Sequence, residues 1–181
     1  MTDLIVLALL LDGPRYGYRL KREAGLAQGR RPLHSNVIYP LLGRFAESGW
    51  VAKTASPGKR GQTRLLYTLT PAGRAELLRR LATFPPKEAE SDSAFQLRIG
   101  LFHVLSPGVR AQVLDTREAF LRAREQRLVE ITKHFQAAPF PADVLRFRLL
   151  QTRAERAWIR RLRRMAALAP EPGSGAGRNA T

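Results

Sequence analysis

Apolar residues recur at helical spacing along most of this chain, and the stretch Ser35–Trp50 shows the pattern most clearly. Its apolar positions follow the 3, 4, 7 spacing of one helix stripe: Ile38, Leu41, Leu42 and Phe45. The opposite face, about 180° around the helix, is mostly small or uncharged: Asn36, Pro40, Gly43 and Glu47. Because such a face can approach a duplex closely, the stretch predicts a DNA-recognition helix that leads into the first strand of a wing.

The ends of this helix are also marked in the sequence. Either His34 or Ser35 supplies the N-cap, and Ser48-Gly49 lets the chain leave the helix. Pro40 lies about one turn inside, where its missing N–H removes one hydrogen bond near the helix start. We therefore expect a local distortion at Pro40 and not a break.

Two shorter helices precede this stretch. Residues Leu4–Leu11 are apolar on nearly every side, which predicts a helix that is buried on more than one face. A second helix, with one apolar and one basic side, is predicted over Arg15–Ala24 and is closed by Gly25. Gly29–Pro32 is then the turn into the recognition helix.

A basic hairpin follows the recognition helix. Two strand-like runs, Val51–Thr54 and Arg64–Leu69, enclose a tip whose glycines permit turn conformations. Cations of this hairpin are placed to contact phosphates or to reach into a minor groove: Lys59, Arg60 and Arg64. Thr70-Pro71 is an N-cap and N1 pair that opens a helix over Ala72–Phe84. Residues 1–84 therefore predict a winged helix-turn-helix with a two-stranded wing.

The composition changes after Phe84. Residues 85–92 are predicted to be a polar linker, and residues 93–168 hold helices with apolar seams. The Gly/Pro/Ser-rich residues 169–181 contain no core residues, so we expect a disordered tail there. The predicted fold class is mainly α with a small two-stranded β wing, and the C-terminal part is expected to be an α-helical dimerisation domain.

The helices of this second part have separate signals. A short amphipathic helix is predicted over Phe95–Leu105. A long helix is predicted over Val109–Phe135, with apolar residues spaced about 3.5 apart and Arg117 interposed. Pro139 and Pro141 are expected to break it. A final helix of about 25 residues has one predicted apolar stripe: Val144, Phe147, Ala154, Trp158, Leu162 and Met165. Because such a small unit cannot bury both sides of two long helices, a partner chain is implied.

Charge narrows the class of partner. Lys and Arg outnumber Asp and Glu by 31 to 15, which gives a formal net charge of +16. A charge of this size attracts polyanions, with nucleic acid first and a membrane surface second. No run of about 18 apolar residues occurs, and the apolar start is too short to span and lacks a basic n-region. We expect a soluble cytoplasmic protein without a signal, bound to the nucleoid when it engages DNA.

Little in the sequence supports catalysis. Cysteine is absent, which excludes disulfides, thiolate metal sites and cysteine nucleophiles. The three histidines, His34, His103 and His134, are widely separated, and no carboxylate pair or phosphate-binding glycine loop accompanies them. We expect neither an enzyme nor a bound metal or cofactor.

Five segments, in order and in spacing, resemble the PadR family of bacterial transcriptional regulators. They are the apolar first helix ending in Gly13-Pro14, Tyr16-Gly17-Tyr18 where the family shows His-Gly-Tyr, Tyr39–Leu42, Glu47–Gly49, and Gly61–Gly73. The last segment contains the Gly/Arg-rich tip and the Leu-Thr-x-x-Gly pattern of the family. The resemblance covers about residues 4–84, and it implies a DNA-binding regulator.

The resemblance implies that Tyr39 and the start of its helix face the DNA while the wing tip grips the flanking backbone. The DNA-binding residues expected on this basis are Ser35, Asn36, Tyr39, Gly43, Arg44, Lys59, Arg60, Gln62 and Arg64. The family commonly has an acidic residue at the position of Arg19 and small polar residues at those of Val37 and Ile38. The operator sequence therefore cannot be transferred from the family.

The resemblance also implies a homodimer, most simply a repressor that a small-molecule inducer releases from a near-palindromic operator. Residues expected in the dimer interface or an effector pocket are Phe95, Phe102, Phe120, Phe147, Trp158 and Leu162. Trp158 is either an anchor of the dimer core or a residue that stacks on a ligand. Two alternatives remain open: a winged-helix module that docks an acidic protein, and a sequence-independent, nucleoid-type DNA binder.

Overall fold

The computed structural model of the chain describes residues 1–29, 31–57, 63–135 and 138–168. The chain divides into two compact units, Met1–Thr83 and Phe84–Thr181. The fold is mainly helical with one small antiparallel sheet, and each unit has its own core.

The first unit contains four helices and three strands. In chain order they are α1 (Thr2–Leu9), β1 (Arg15–Tyr16), α2 (Gly17–Leu26), α3 (Ser35–Glu47), β2 (Val51–Pro57), β3 (Thr63–Leu69) and α4 (Pro71–Ala82). The sheet has the order β1-β3-β2, with Val51 opposite Leu69 and Tyr16 opposite Leu66. Its core is formed by side chains of all four helices and of the wing base: Ile5, Val6, Leu7, Leu20, Ile38, Leu42, Phe45, Val51, Tyr67, Leu77 and Leu81. This core fixes α3 against the rest of the unit.

The predicted recognition helix is confirmed as α3, with Pro40 inside it. His34 is its N-cap residue, although the His34 side chain makes no capping hydrogen bond. The Thr70 cap is also confirmed, because its side-chain oxygen accepts a hydrogen bond of 3.0 Å from the Gly73 backbone N–H.

Three sequence predictions in this unit are wrong. The two-stranded wing of β2 and β3 is confirmed, but Arg15 and Tyr16 do not begin the predicted helix and instead pair with β3 as a third strand. Gly25 lies inside α2 and does not end it. A Cβ on Gly25 would lie 2.3 Å from the Arg31 carbonyl oxygen, so a close approach of two backbones explains this glycine. β2 continues to Pro57, beyond the predicted end of the strand at Thr54.

The second unit is built from three helices: α5 (Asp92–Gly100), α6 (Pro107–His134) and α7 (Pro139–Leu168). Short 3-10 helices lie at Glu88–Glu90 and Phe102–Val104. Its core is formed by residues from α5, α6, α7 and the segment before α5: Phe84, Ala89, Ala94, Phe95, Val113, Leu114, Leu121, Ile159 and Leu162. Phe84 was predicted to end the helix that follows the wing, but its side chain packs in the core of the second unit.

Three fully buried arginines stabilise this unit: Arg98, Arg110 and Arg117. Arg117 donates to Glu155 at 2.8 Å, to Asp92 at 2.5 Å and to the Ala89 carbonyl oxygen. Its guanidinium carbon lies 5.3 Å from the ring centroid of Phe95. Arg117, which was predicted to interrupt the apolar seam of the long helix, is therefore a buried and hydrogen-bonded part of the core.

The segment predicted as a polar linker is attached to this core. Ala89 is fully buried, and Glu88 accepts a hydrogen bond of 2.7 Å from Arg98. Together with the Asp92–Arg117 pair, this contact holds residues 88–92 within the second unit.

The predicted apolar stripe of α7 is only partly buried: Leu162 lies in the core and Trp158 packs against it. Val144, Phe147 and Met165 are exposed, whereas the fully or nearly buried residues of this helix are Ala142, Thr152, Ile159 and Leu162. The buried face of α7 also carries ion pairs with α6, among them Arg163 with Glu118 at 2.8 Å. Pro139 and Pro141 lie in the first turn of α7, where proline is compatible with a helix.

Candidate nucleic-acid interface

The outer face of α3 is open to solvent. Ser35, Asn36, Tyr39 and Arg44 are exposed, and the helix contains a single carboxylate, Glu47, at its C-terminal end. The inner stripe is buried, with Ile38 and Leu42 inaccessible to solvent. These four side chains, all predicted to face DNA, are therefore accessible to a partner.

Gly43 lies in the middle of this face. No heavy atom lies within 4 Å of the place where a Cβ would be, so packing inside the protein does not require glycine here. The start of α3 is positioned by α2, because Lys21 Nζ donates to Ser35 Oγ at 3.1 Å and the Leu33 N–H donates to the Lys21 carbonyl oxygen at 3.0 Å.

The cations of the first unit fall into two groups. Four are bound to carboxylates in ion pairs: Arg15, Arg19, Arg79 and Arg80. Within the described ranges, the remaining lysines and arginines make no ion pair: Lys21, Arg22, Arg31, Arg44, Lys53, Arg64 and Arg74. Two members of this second group, Arg44 and Arg64, lie on α3 and at the start of β3, so positive charge is available on the recognition helix and on the wing.

Only part of the predicted wing contacts lies in the described part of the chain. Lys59, Arg60 and Gln62 fall outside the described residues. Arg64 is half-buried, and its guanidinium carbon lies 6.0 Å from the ring centroid of Tyr18.

A pocket between the start of α2, α3 and β3 was not predicted from the sequence. All four tyrosines of the chain line it, together with Gly17 and Arg64, and its volume is about 240 Å³; we call it the tyrosine pocket. Tyr16 and Tyr18 stack with ring centroids 5.9 Å apart. The sequence signal for this pocket was the Tyr16-Gly17-Tyr18 segment. Only the fold shows that this segment lies beside Tyr39 and Tyr67.

Gly17 allows two tyrosine rings to meet at the base of this pocket. A Cβ on Gly17 would lie 2.9 Å from Tyr39 Cε1 and 3.3 Å from Tyr67 Cε2. Burial, and then the neighbouring Tyr39, raise the pKa of Tyr67 above its ordinary value of 10.0. The Tyr67 hydroxyl is therefore a neutral donor at neutral pH.

The six residues predicted for a dimer interface or effector pocket are placed differently from one another in the second unit. Phe95 and Leu162 lie in its core, and Phe95 meets Trp158 edge to face with centroids 5.8 Å apart. Phe102, Phe120 and Trp158 are half-buried, while Phe147 is exposed. A separate cavity of about 280 Å³ is lined by none of the six; its lining is Pro107, Ala111, Leu114, Arg163, Ala166 and Ala167.

Over the described ranges, no helix combines the length and the apolar character that a membrane span requires. The same ranges contain no group of three or more acidic or histidine side chains that could hold a metal ion.

The fold of the first unit and the exposed, carboxylate-poor face of α3 define a winged helix-turn-helix DNA-binding domain. Residues 6–79 match the sequence model of the transcriptional regulator PadR-like family. This match confirms, for the first unit, the resemblance to that family seen in the sequence.

Solved structures of several regulators are similar to the chain. A candidate transcriptional regulator of Thermoplasma acidophilum is 29% identical over 44% of this chain and 75% of its own, with a TM-score of 0.41. RosR of H. salinarum is 28% identical over 44% of this chain and 68% of its own, with a TM-score of 0.39. Bacillus subtilis PadR in complex with operator DNA is 21% identical over 91% of this chain and 98% of its own, with a TM-score of 0.43. No curated protein matches this chain.

Proposed function

We propose that this protein is a homodimeric transcriptional repressor that binds a near-palindromic operator and is released by a small-molecule inducer. In this proposal α3 enters the major groove of each half-site, and the wing lies on the flanking backbone or in the minor groove. The observation that carries the proposal is the outer face of α3, which is exposed, nearly free of carboxylates, and flanked by cations without ion pairs in the described part of the chain.

Each predicted contact residue of α3 has a role that suits its chemistry. The amide of Asn36 matches the donor and acceptor edge of adenine, and the Arg44 guanidinium matches guanine or a phosphate. Gly43 allows the helix backbone to approach the base edges closely. Ser35 and Tyr39 supply hydroxyls for phosphates, and Arg64 supplies charge from the wing. Lys59, Arg60 and Gln62 complete the proposed wing contacts.

The apolar surface of α7 supports a homodimer. Four large side chains on this helix project into solvent at helical spacing: Phe140 at 83% exposure, Val144 at 58%, Phe147 at 59% and Leu150 at 64%. We call them the α7 stripe. A contiguous apolar patch of this kind marks an interaction surface on a soluble protein. A second copy of the chain, related by two-fold symmetry, would cover both stripes with one self-complementary contact.

Release by an inducer requires that the inducer bind the DNA-incompetent arrangement more tightly than the competent one. A difference of about 2–3 kcal/mol would give a useful 30- to 100-fold change in operator affinity. The half-buried Phe102 and Trp158 and the cavity of about 280 Å³ beside Arg163 are the places in the second unit that support a ligand.

The test is fluorescence-anisotropy binding of the full chain to the DNA upstream of its own gene, compared with a shuffled duplex of equal length at physiological salt. We expect a preference of about 10³ or more and a log–log salt slope of roughly −0.9 per neutralised phosphate. Arg44→Ala should weaken operator binding. Its matched control is Arg160→Ala, which removes an equally exposed arginine from α7.

Other outcomes decide against the proposal. Equal affinity for every duplex tried would indicate a sequence-independent DNA binder. A flat salt dependence, or no binding to any duplex, would favour the protein-docking alternative.

A further inference from the structure

We propose that the tyrosine pocket is a binding site for one phosphodiester group of the operator backbone, with the Tyr67 hydroxyl as its central donor. The inference rests on the proposed function, because it names a DNA contact beyond α3 and the wing tip. It assigns Tyr67 and the start of α2, which sequence reasoning did not select.

The position of the pocket favours a backbone contact. It lies between Tyr39 of α3, the first residues of α2 and the first residues of β3. With α3 in a major groove and the wing at the neighbouring minor groove, the sugar–phosphate strand that separates the two grooves passes over the surface between α3 and β3. The pocket opens on that surface.

Tyr67 is the observation that points to a ligand. Its side chain is only 4% exposed, yet among the described residues its hydroxyl makes no hydrogen bond. The hydroxyl oxygen is not one of the fully enclosed unpartnered atoms, so it opens onto the pocket that the tyrosine lines. Buried polar groups are nearly always hydrogen-bonded. A donor left available at a pocket wall is therefore suited to an acceptor from another molecule.

The surroundings of this hydroxyl favour an anion. No carboxylate lines the pocket. Arg64, which makes no ion pair within the part of the chain that is described, stands beside the Tyr18 ring at the pocket wall. The ten-residue helix α2 begins at Gly17 without a side-chain cap, so the positive end of its dipole is directed to the same place. A hydroxyl donor, a guanidinium and a helix N-terminus together match the several acceptor oxygens of a phosphate.

The size of this pocket is compatible with a phosphodiester. The pocket is about 240 Å³ in volume and open on one side, which accommodates a phosphate that remains attached to its strand. The proposed occupant is therefore a phosphate of the duplex and not a free anion.

The test combines a protein change with a DNA change. Single phosphates of the operator are replaced, one at a time, by neutral methylphosphonates, and anisotropy measures the affinity of the wild-type chain and of Tyr67→Phe. For wild type we expect one position in each half-site at which the replacement weakens binding roughly tenfold, the effect of losing a hydrogen bond to a charged group. Tyr67→Phe should weaken binding to unmodified operator by a similar factor and lose no further affinity at that position.

Replacements at neighbouring phosphates are the control. There, the loss of affinity caused by Tyr67→Phe and the loss caused by the methylphosphonate should multiply. Because the hydroxyl has no partner inside the described protein, Tyr67→Phe should melt at the wild-type temperature. If it does not fold, Arg64→Gln tests the same position. Suppose that the wild-type chain prefers its operator but that Tyr67→Phe and the methylphosphonate have multiplicative effects at every phosphate. This result would overturn the proposed phosphate site and leave the proposed function standing. A wild-type chain without operator preference would overturn the pocket and the proposed function together.

A further arm separates duplex phosphate from free phosphate. Chloride is replaced by inorganic phosphate at constant ionic strength. We expect wild type and Tyr67→Phe to respond equally. A loss of operator binding confined to wild type would show that the pocket takes free phosphate, and this would contradict the proposed occupant.

Discussion

Gly43 lies on the recognition helix, where a glycine can serve either packing within the protein or close approach to DNA. A glycine inside a helix costs about 0.5–1 kcal/mol relative to alanine, and no neighbour within the protein requires it, because the place of a Cβ is empty to 4 Å. We expect Gly43→Ala to raise the free energy of unfolding by up to about that amount and to weaken operator binding at least tenfold. The added methyl group would stand where base edges approach. Urea unfolding and anisotropy measure the two effects.

The matched control for this change is Gly108→Ala on α6, where the place of a Cβ is equally empty. It should leave DNA affinity unchanged. If Gly43→Ala stabilises the chain and binds the operator as wild type does, the close approach of α3 to DNA is wrong.

Single residues also show what the sequence could and could not predict. Gly73 belongs to the Leu-Thr-x-x-Gly pattern noted in the sequence, and the structure explains it, because a Cβ there would lie 2.0 Å from the Trp50 carbonyl oxygen. The alternation of Leu65, Tyr67 and Leu69 in the sequence predicts only that these three side chains share one face of a strand. Its place beside Tyr16, Tyr18 and Tyr39 depends on the pairing of β1 with β3, which no local pattern encodes.

At the scale of elements, α4 carries a pH-dependent contribution to the stability of the first unit. Glu76 accepts hydrogen bonds from Arg79 Nε at 2.8 Å and from Arg80 Nε at 2.6 Å. These bonds, from Arg79 first and Arg80 second, lower the pKa of Glu76 from 4.5 to about 2. Arg80 also pairs with Asp3 of α1 and lies over the Trp50 ring, so the cluster joins α4 to α1 and to the wing base.

A carboxylate whose pKa is lower in the folded state stabilises the fold above its unfolded pKa, and this stabilisation is lost as the pH falls towards the folded pKa. We therefore expect wild type to lose more stability than Glu76→Gln between pH 4.5 and about 2. Urea unfolding followed by Trp50 fluorescence, in a Trp158→Phe background, reports on the first unit. Glu47→Gln, an exposed change on α3, should keep the wild-type profile; identical profiles for all three chains would refute the role of Glu76.

The elements differ in how well the sequence predicts them. The bounds of α3 were predicted because its apolar stripe, its polar flanks and the following Ser-Gly are all local signals. The orientation of α7 was not, because its packing face combines Ile159 and Leu162 with small residues and with arginines paired to carboxylates of α6. Hydrophobic periodicity does not register the paired arginines of such a face, so it does not predict which of the large apolar residues are buried and which are exposed.

At the scale of the whole molecule, the α7 stripe determines the oligomeric state that we expect. Phe147→Asp places a charge at the centre of the stripe, on a side chain that is already 59% exposed, so the folded chain should tolerate it. Wild type should elute with about twice the 20.3 kDa mass of one chain in light scattering coupled to size exclusion, and the variant with the mass of one chain. Leu26→Asp, at an exposed leucine of α2, should remain dimeric. A dimeric Phe147→Asp chain would show that the stripe is not the interface.

A two-fold dimer also fixes the geometry of the operator. Two copies of α3 related by such an axis meet one face of the duplex about 34 Å apart, which corresponds to roughly 10–10.5 base pairs between half-site centres.

Inserting five base pairs between the half-sites turns one half-site to the opposite side of the duplex. We expect this insertion to lower wild-type affinity by at least about tenfold, whereas five substitutions at the same place, without a change in length, should not. Phe147→Asp, which binds as a single chain, should be indifferent to the insertion, because each copy then contacts its half-site independently. If wild type binds the lengthened and original operators equally well, its two DNA-binding units are not held in a fixed two-fold arrangement, and the proposed dimer cannot be the unit that reads the operator.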